Sequence, residues 1–380
     1  MKIGLNGQVI QNSNPAGPEI YTINLFKNLA RLDSDNDYTI YLDRKPSNEF
    51  FKYITGGNPR FLYKVIEGKR FWTQFHLAKE LLNNPVDVFF TAIHTILIIR
   101  SSKTEFVVMV HGLEYRYTTG FKSPLKRLKI QRPVRYAIRH SDKIIAPSKA
   151  TKEQILKRNW GVNEDKIEIV YEGVSESFYE RSENEIKEIR EKYKVADSPY
   201  LLFVSTIQPR KNLPNTIRAF SQFINENQEM KNTQLLIAGK NGWDYQESLE
   251  APRKFGVEEN VKFLGRVPTE DLPALFSGSK GYINISFEEG FGLPLLESMA
   301  CGVWSVVSDI PAHREVGGSL PIYADPNNIE NIKDGVFKIM TNDFDKNLLL
   351  DRARGFSWKR TAEKTLEILE ETSKKDLVSN

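Results

Sequence analysis

The sequence predicts an α/β protein made of two doubly wound domains, each a parallel sheet with helices on both faces. Three observations predict it. Short apolar runs rich in β-branched residues alternate with segments of helical period along most of the 380 residues. Those runs are continuously apolar, as strands covered on both faces are. The series also stops once, at a polar, acid-rich stretch over residues 175–198, and then begins again. Two such series imply two domains facing a cleft, with ligands at the carboxyl ends of the strands.

In the first series, KIGLNG (2–7) reads as a strand. Tyr21, Leu25, Leu29 and Leu32 then fall on one helical face. YTIYL (38–42) returns as a strand, residues 71–83 as a helix, and 86–90 and 105–110 as strands. A helix over 123–140, a strand over 143–148 that ends in a helix-start signal, and KIEIVYEGV (166–174) close this half. The polar stretch reads as a linker carrying a short helix. Beyond it, strands are expected at 200–206, 234–239, 261–265, 281–286 and 305–309, with helices over 213–225 and near 269–277. The domains are placed at 1–175 and 176–356, with a last helix at about 357–380.

The composition bounds the function. A hydrophobic content of 40% and a charged content of 27% are those of a soluble globular protein. A net charge of +4 gives little support to nucleic-acid binding, and no nucleic-acid partner is expected. One cysteine excludes an internal disulfide framework and fits a reducing compartment. The start, MKIGLNGQVIQ, is too short and too polar for a signal peptide. The most apolar stretch, 88–99, is interrupted by Thr91, His94 and Thr95 and is too short to cross a bilayer. A cytoplasmic location is expected.

The stretch FEEGFGLPLLESMACG (287–302) carries the chemistry. It follows a buried strand, GYINIS, at its carboxyl end. Gly290 and Gly292 let the backbone turn and let another molecule approach closely. Pro294 suits the start of a helix, where its missing N–H costs nothing. A helix start behind glycines exposes unpaired N–H groups, which with the helix dipole favour an anion such as a diphosphate. Glu289 stands before the turn and Glu297 about one turn into the helix, where a carboxylate can accept two hydroxyl donors. The alternative is a tight strand–helix loop with solvated acids, since a lone glycine-rich loop is a weak signal. Upstream, VSTIQPRKNL ends another apolar strand and projects Arg210 and Lys211 from a strand-end loop. Arg offers a fork matched to phosphate oxygens and Lys a compact charge. A solvated basic pair is the plain alternative, although cations are disfavoured near a helix N-terminus.

These motifs resemble a known family. EGFGLPLLESMACG is similar to the signature of the family-4 retaining glycosyltransferases, which have the GT-B fold of two Rossmann-like domains. The pair Glu289-x7-Glu297 matches that family's paired-glutamate motif. STIQPRKN resembles its phosphate-binding loop, and VKFLGRVPTEDLPALF its base-contacting segment. SDKIIAPSKATKEQI and NEDKIEIVYEGV resemble the end of its first domain. FSWKRTAEKTLEIL resembles its terminal helix, which crosses back to the first domain. The resemblance covers essentially the whole chain. It implies transfer of a hexose from a nucleotide-diphosphate sugar to an acceptor, with retention at the anomeric carbon and no required metal or cofactor.

Carried onto this sequence, the resemblance gives Arg210 and Lys211 the leaving diphosphate to neutralise, with N–H groups near Gly290, Phe291, Gly292 and Leu293 holding its oxygens. Glu297 would hold the ribose hydroxyls and Glu289 the donor hexose. Backbone around Arg266 and Val267 would meet the base. His111, in VMVHGLEY, matches the family's histidine near the sugar, and Gly17, in NPAGPEIY, the glycine of its first loop. The implied partners are a nucleotide-sugar donor, with GDP-mannose slightly ahead of UDP-sugars, and a saccharide or lipid-linked acceptor of polysaccharide synthesis. The rival functions are an NAD-type oxidoreductase, a non-catalytic nucleotide-sugar-binding subunit, and a phosphorylase or epimerase of the same fold. The first lacks G-x-G-x-x-G after the opening strand. The last lacks a visible cofactor-lysine context.

Some features depart from the pattern. Trp304 and Ser305 stand where the family has proline and valine, which reads as a packing change in the helix-to-strand turn. Pro18 and Glu19 replace a more glycine-rich run beside Gly17. Asp33, Asp35 and Asp37 read as a solvated turn rather than a metal site. His94, His140 and His313 lack zinc-like spacing, and Cys301 reads as a buried small hydrophobe. Between Arg116 and Lys143 lie nine basic residues, Arg116, Lys122, Lys126, Arg127, Lys129, Arg132, Arg135, Arg139 and Lys143, against the single acid Asp142. The sharper reading of this segment is contact with a lipid-diphosphate acceptor or peripheral contact with an anionic membrane at its inner face. The plainer reading is a solvated helix face.

Overall fold

The computed structural model of the protein describes residues 1–11, 17–68, 70–113 and 124–373. They separate into two compact units. One holds the described residues of 1–113, 124–173 and 357–380, the other those of 174–356.

In the first unit, seven strands form one parallel sheet. They are β1 (Lys2–Asn6), β2 (Asp37–Leu42), β3 (Phe61–Val65), β4 (Val88–Thr91), β5 (Glu105–Met109), β6 (Lys143–Ala146) and β7 (Ile167–Ile169). Their order is β3-β2-β1-β4-β5-β6-β7. Leu5 pairs with Ile40 on one side and Phe90 on the other, and all three are fully buried. Burial on both faces is why these strands show no alternation in the sequence. The terminal helix, Trp358–Ser373, belongs to this unit. The Trp358 ring meets Tyr21 edge-on at 5.6 Å, and Thr361 Oγ1 donates to Tyr171 O at 2.8 Å.

The second unit repeats the scheme with β8 (Tyr200–Val204), β9 (Gln234–Ala238), β10 (Val261–Gly265), β11 (Gly281–Asn284), β12 (Ser305–Ser308) and β13 (Ile322–Ala324). Their order is β10-β9-β8-β11-β12-β13. Tyr200, Leu202 and Tyr282 pack on one face with Leu295, Leu296 and Met299. Leu201, Phe203 and Ile283 pack on the other with Ile217, Phe220 and Ile339. In each sheet the order reverses beside the first strand of its series, between β1 and β4 and between β8 and β11. Such a switch point leaves a crevice at the strands' carboxyl ends.

The structure adds the edge strands β3 and β13, which the apolar pattern does not reveal. Leu62 of β3 is 64% exposed, and β13 has only three residues. The helix expected over 71–83 is one π turn, Trp72–Leu77, followed by an α turn, Ala78–Asn83. The linker carries the helix Glu183–Lys192, held by a Ser182–Glu185 capping box. The acidic turn corrects one expectation. Asp33 is buried rather than solvated, and its carboxylate accepts from Asn36 Nδ2, Tyr38 Oη and the N–H of Asp35. Trp304 stacks on Phe344 at 4.5 Å, a packing role, and Cys301 is buried.

Gly239, just past β9, donates its N–H to Gly265 O at 2.7 Å, and a Cβ there would stand 1.7 Å from Ser205 O. The backbone after β8 therefore leaves no room for a side chain. Gly239→Ala is expected to destabilise the protein by at least about 1–3 kcal/mol, the usual effect of overpacking. Urea unfolding checks this, and an unchanged midpoint would show that the two loops separate freely.

Candidate functional site

The loops after β8 and β11 meet at the switch point of the second sheet. Pro209–Lys211 forms a single 3₁₀ turn, and Asn212 follows it at φ 55°. Asn212 Nδ2 anchors that turn by donating to Pro326 O at 2.8 Å. The N–H of Phe287 donates to Arg210 O at 2.8 Å, so the two loops share a backbone bond. Past Gly292 the helix Leu293–Ala300 begins, with Pro294 in its first turn. The N–H groups of Leu295 and Leu296 both bond Gly292 O, which leaves those of Gly292 and Leu293 as the candidate donors to a ligand.

Glu289 is the centre of the arrangement. It is buried, and four side chains converge on its carboxylate. Lys211 Nζ donates to Oε1 at 2.5 Å and Arg210 Nη1 to Oε2 at 2.9 Å. Ser286 Oγ donates to Oε1 at 2.7 Å, and Asn284 Nδ2 points at the same oxygen from 3.5 Å. Arg210 Nη1 also bonds Glu288 O at 2.9 Å. Burial alone would push the Glu289 carboxyl up, but the Lys211 and Arg210 cations outweigh it and hold the group far below the usual carboxylate range. Glu289 thus offsets part of the positive charge that Arg210 and Lys211 bring to the two loops. This resolves the oddity of two cations ahead of a helix N-terminus, because Glu289 neutralises part of their charge.

The other expected residues fall as follows. Gly290 and Phe291 are buried in the same loop, and the Phe291 ring meets Phe356 edge-on at 5.9 Å. Glu297 is half-buried on the helix behind the loop. Arg266 is exposed and Val267 half-buried, just past the end of β10. Gly17 is exposed at the first position of the helix Gly17–Leu32, with open space where a Cβ would stand.

His111 belongs to the first unit, just past β5. Its Nε2 lies 3.0 Å from Ala92 O, and a carbonyl only accepts, so Nε2 carries a proton. Its Nδ1 faces Glu172 Oε1 at 3.4 Å. The backbone N–H of His111 donates to His94 Nε2 at 2.9 Å. Burial, with His111 beside it, holds the His94 imidazole down at about 3, so that ring stays a neutral acceptor. Both ring nitrogens of His111 are thus set against protein acceptors, Ala92 O and the Glu172 carboxylate.

Sequence reasoning missed Asn284, Ser286 and Glu172, and weighed His94 and His313 only as zinc ligands. The first two left a signal, because they are the polar residues at alternate positions ending the apolar run GYINIS. His313, just past β12, had none beyond its place after a strand. Among the described residues, no group of three His, Cys, Asp or Glu side chains could hold a metal ion.

Comparison with known proteins agrees with this architecture. Residues 15–178 match the family model Glycosyltransferase Family 4, and residues 185–354 match Glycosyl transferases group 1. The chain belongs to the glycosyltransferases that these two models define. O-antigen chain mannosyltransferase B of Escherichia coli is 31% identical over 206 residues, 53% of this chain and 54% of that protein. The serotype-specific mannosyltransferase WbdA of Escherichia coli is 28% identical over 229 residues, 58% of this chain and 28% of that protein. The aligned region thus spans about half or less of these relatives. The crystal structure of Anabaena HepE in complex with UDP-glucose superposes with a TM-score of 0.74 at 18% identity, covering 98% of this chain and 100% of that one. The fold is GT-B.

The ion cluster yields a pH-dependent prediction. The Glu289 carboxyl is depressed in the folded state, so its stabilising effect is full above the ordinary glutamate value of about 4.3 and fades as pH falls below it. Glu289→Gln removes the carboxylate that Lys211 and Arg210 share and is expected to cost about 3–5 kcal/mol at neutral pH. The gap to wild type should narrow under acid. Urea titrations at neutral and acidic pH test this, and a gap that widens in acid would contradict the assignment.

Proposed function

We propose that the protein is a retaining hexosyltransferase that moves a sugar from a nucleotide-diphosphate donor to a saccharide or lipid-linked saccharide in polysaccharide synthesis. The observation that carries this reading is the Arg210–Lys211–Glu289 cluster beside the start of the Leu293–Ala300 helix, at the switch point of the second sheet. An anion docked there meets two cations and a helix N-terminus at once. GDP-mannose is the favoured donor, because the relatives named above are mannosyltransferases. UDP-sugars come second, since HepE was solved with UDP-glucose. No resident cofactor or metal is needed on this reading, because the donor itself carries the leaving group.

Breaking the anomeric bond puts negative charge on the diphosphate. Arg210, Lys211 and the N–H groups of Gly292 and Leu293 stabilise that charge more in the transition state than before it. Glu289 holds the two cations in place and offers its carboxylate to donor hydroxyls, with Glu297 on the ribose. Base contacts fall to the backbone near Arg266 and Val267, and Gly17 approaches the phosphates. On the family motif, His111 stands near the sugar. A leaving phosphate oxygen takes the acceptor's proton on the retained face.

Peripheral binding to an anionic membrane, at the cytoplasmic face, is a further part of the proposal. Arg116 and Lys122 of the basic segment lie outside the described residues, as do the side chains of Lys126 and Arg127. On the helix Pro124–His140, Lys129, Arg132, Arg135 and Arg139 are exposed, and Leu125 beside them is 75% exposed. No helix among the described residues is long and apolar enough to cross a membrane.

A panel of nucleotide sugars, read by release of the nucleoside diphosphate, tests the activity. Arg210→Ala is expected to lower kcat roughly 100- to 1,000-fold, the usual effect of removing one donor to developing charge. Full activity in both Arg210→Ala and Glu289→Gln would overturn the site. Sedimentation with vesicles containing phosphatidylserine should fall on charge reversal at Lys129, Arg132 and Arg135, and unchanged sedimentation would remove the membrane from the proposal.

A further inference from the structure

His313 lies beneath the same loop and has no role in the reading above. It sits in the helix Pro311–Gly317, directly after β12, and is 0% exposed. Its Nδ1 lies 3.0 Å from Ser308 O and 3.1 Å from Ser308 Oγ. Because a carbonyl can only accept, Nδ1 carries the ring proton. Nε2 is then a bare acceptor, fully buried, with no partner among the described residues. Such an orphan is expensive unless something else satisfies it. The ring edge that carries Nε2 lies against Gly292, the residue that opens the Leu293–Ala300 helix. A Cβ on Gly292 would stand 3.3 Å from His313 Cδ2 and 3.7 Å from Nε2. The glycine, at φ 108°, therefore lets the loop close onto the imidazole.

Several charged groups surround the ring. Burial pushes the His313 imidazole down, Glu289 from the β11 loop opposes this, and Lys211 from the β8 loop adds to it. Glu297 lies on the Leu293–Ala300 helix. On the ring's own helix, Arg314 is paired with Asp309. Arg352 bonds the carbonyls of Glu315 and Val316 at that helix's end. Tyr323 Oη donates to His313 O at 3.3 Å. The ring is thus neutral, and its unpartnered nitrogen abuts the anion-friendly loop. An incoming diphosphate would reverse the balance, since an anion beside an imidazole favours its charged form.

We infer that His313 is a proton-coupled positioning residue for the donor's diphosphate: anion binding at Gly292 and Leu293 is accompanied by transfer of one proton from solvent to His313 Nε2, which becomes an N–H donor toward the phosphate side of the loop. This rests on the donor-site reading given above. It adds that nucleoside diphosphates bind more tightly as pH falls toward neutrality, until their own terminal phosphate protonates.

The test is calorimetric titration of the full chain with GDP and with UDP, in three buffers of different ionisation enthalpy. The wild type should take up about one proton on binding, seen as a linear dependence of the binding heat on the buffer. The nucleotide's phosphate cannot supply this, because contact with Arg210 and Lys211 would make it release a proton. In His313→Gln the uptake should vanish while an amide N–H remains to donate. In His313→Phe, binding should weaken roughly 10- to 100-fold, the usual loss for a charge-assisted hydrogen bond. Absence of proton uptake by the wild type overturns the inference whether or not the variants fold. Unchanged uptake in His313→Gln overturns it too. If Arg210→Ala weakens nucleotide binding but the proton count is zero, only the inference about His313 falls. If neither nucleotide binds the wild type, the donor-site reading falls with it.

Discussion

A buried carboxylate that two cations must share is the constraint on which the second unit's site depends. Glu289 is out of water, so its charge is tolerable only with Lys211 and Arg210 in place. The two cations come from the loop after β8 and the acid from the loop after β11, and these strands are neighbours only because the sheet order reverses there. The ion cluster therefore ties together two chain segments that are remote in sequence. The shared bond from Phe287 N–H to Arg210 O fixes their spacing.

The same arrangement suits anion binding better than an unpaired basic patch would. Lys and Arg side chains free in solvent lose rotamer freedom when they close on a ligand. Here Glu289 has already ordered both, and Ser286 and Asn284 hold Glu289 in turn. An anion then meets donors that need little reorganisation, the condition under which electrostatic stabilisation of developing charge is most effective. The carboxylate also offsets part of the charge that the two cations bring to the loop.

Much of this was legible in the sequence, for identifiable reasons. Strands such as Tyr200–Val204 and Val88–Thr91 are covered on both faces, so they announce themselves as continuous apolar runs. The edge strands Phe61–Val65 and Ile322–Ala324 are half-solvated and short, and so carry no such mark. Arg210, Lys211 and Glu289 were readable because their types are conspicuous at strand ends. Their mutual ion pairing was not, because it depends on which strands become neighbours. Asp33 was misread as solvated for a related reason. Its partners Asn36 and Tyr38 are close in sequence, but the burial that makes them matter is tertiary. His313 was the hardest to find, since nothing in PAHREV distinguishes a buried, half-satisfied imidazole from an exposed one.

The histidines show how backbone carbonyls assign protons in this fold. At His111, Ala92 O fixes the proton on Nε2 and leaves Nδ1 toward the Glu172 carboxylate. At His313, Ser308 O fixes it on Nδ1 and leaves Nε2 against a glycine that begins a helix. The first ring has an acceptor at each nitrogen, so its environment is complete without a ligand. The second has one nitrogen satisfied and one not, so its environment is incomplete until something arrives. Both rings lie past strand ends, where a parallel sheet turns unpaired backbone groups toward its loops. The strand's terminal residues thereby select a tautomer, and the tautomer decides which edge of each imidazole remains for chemistry.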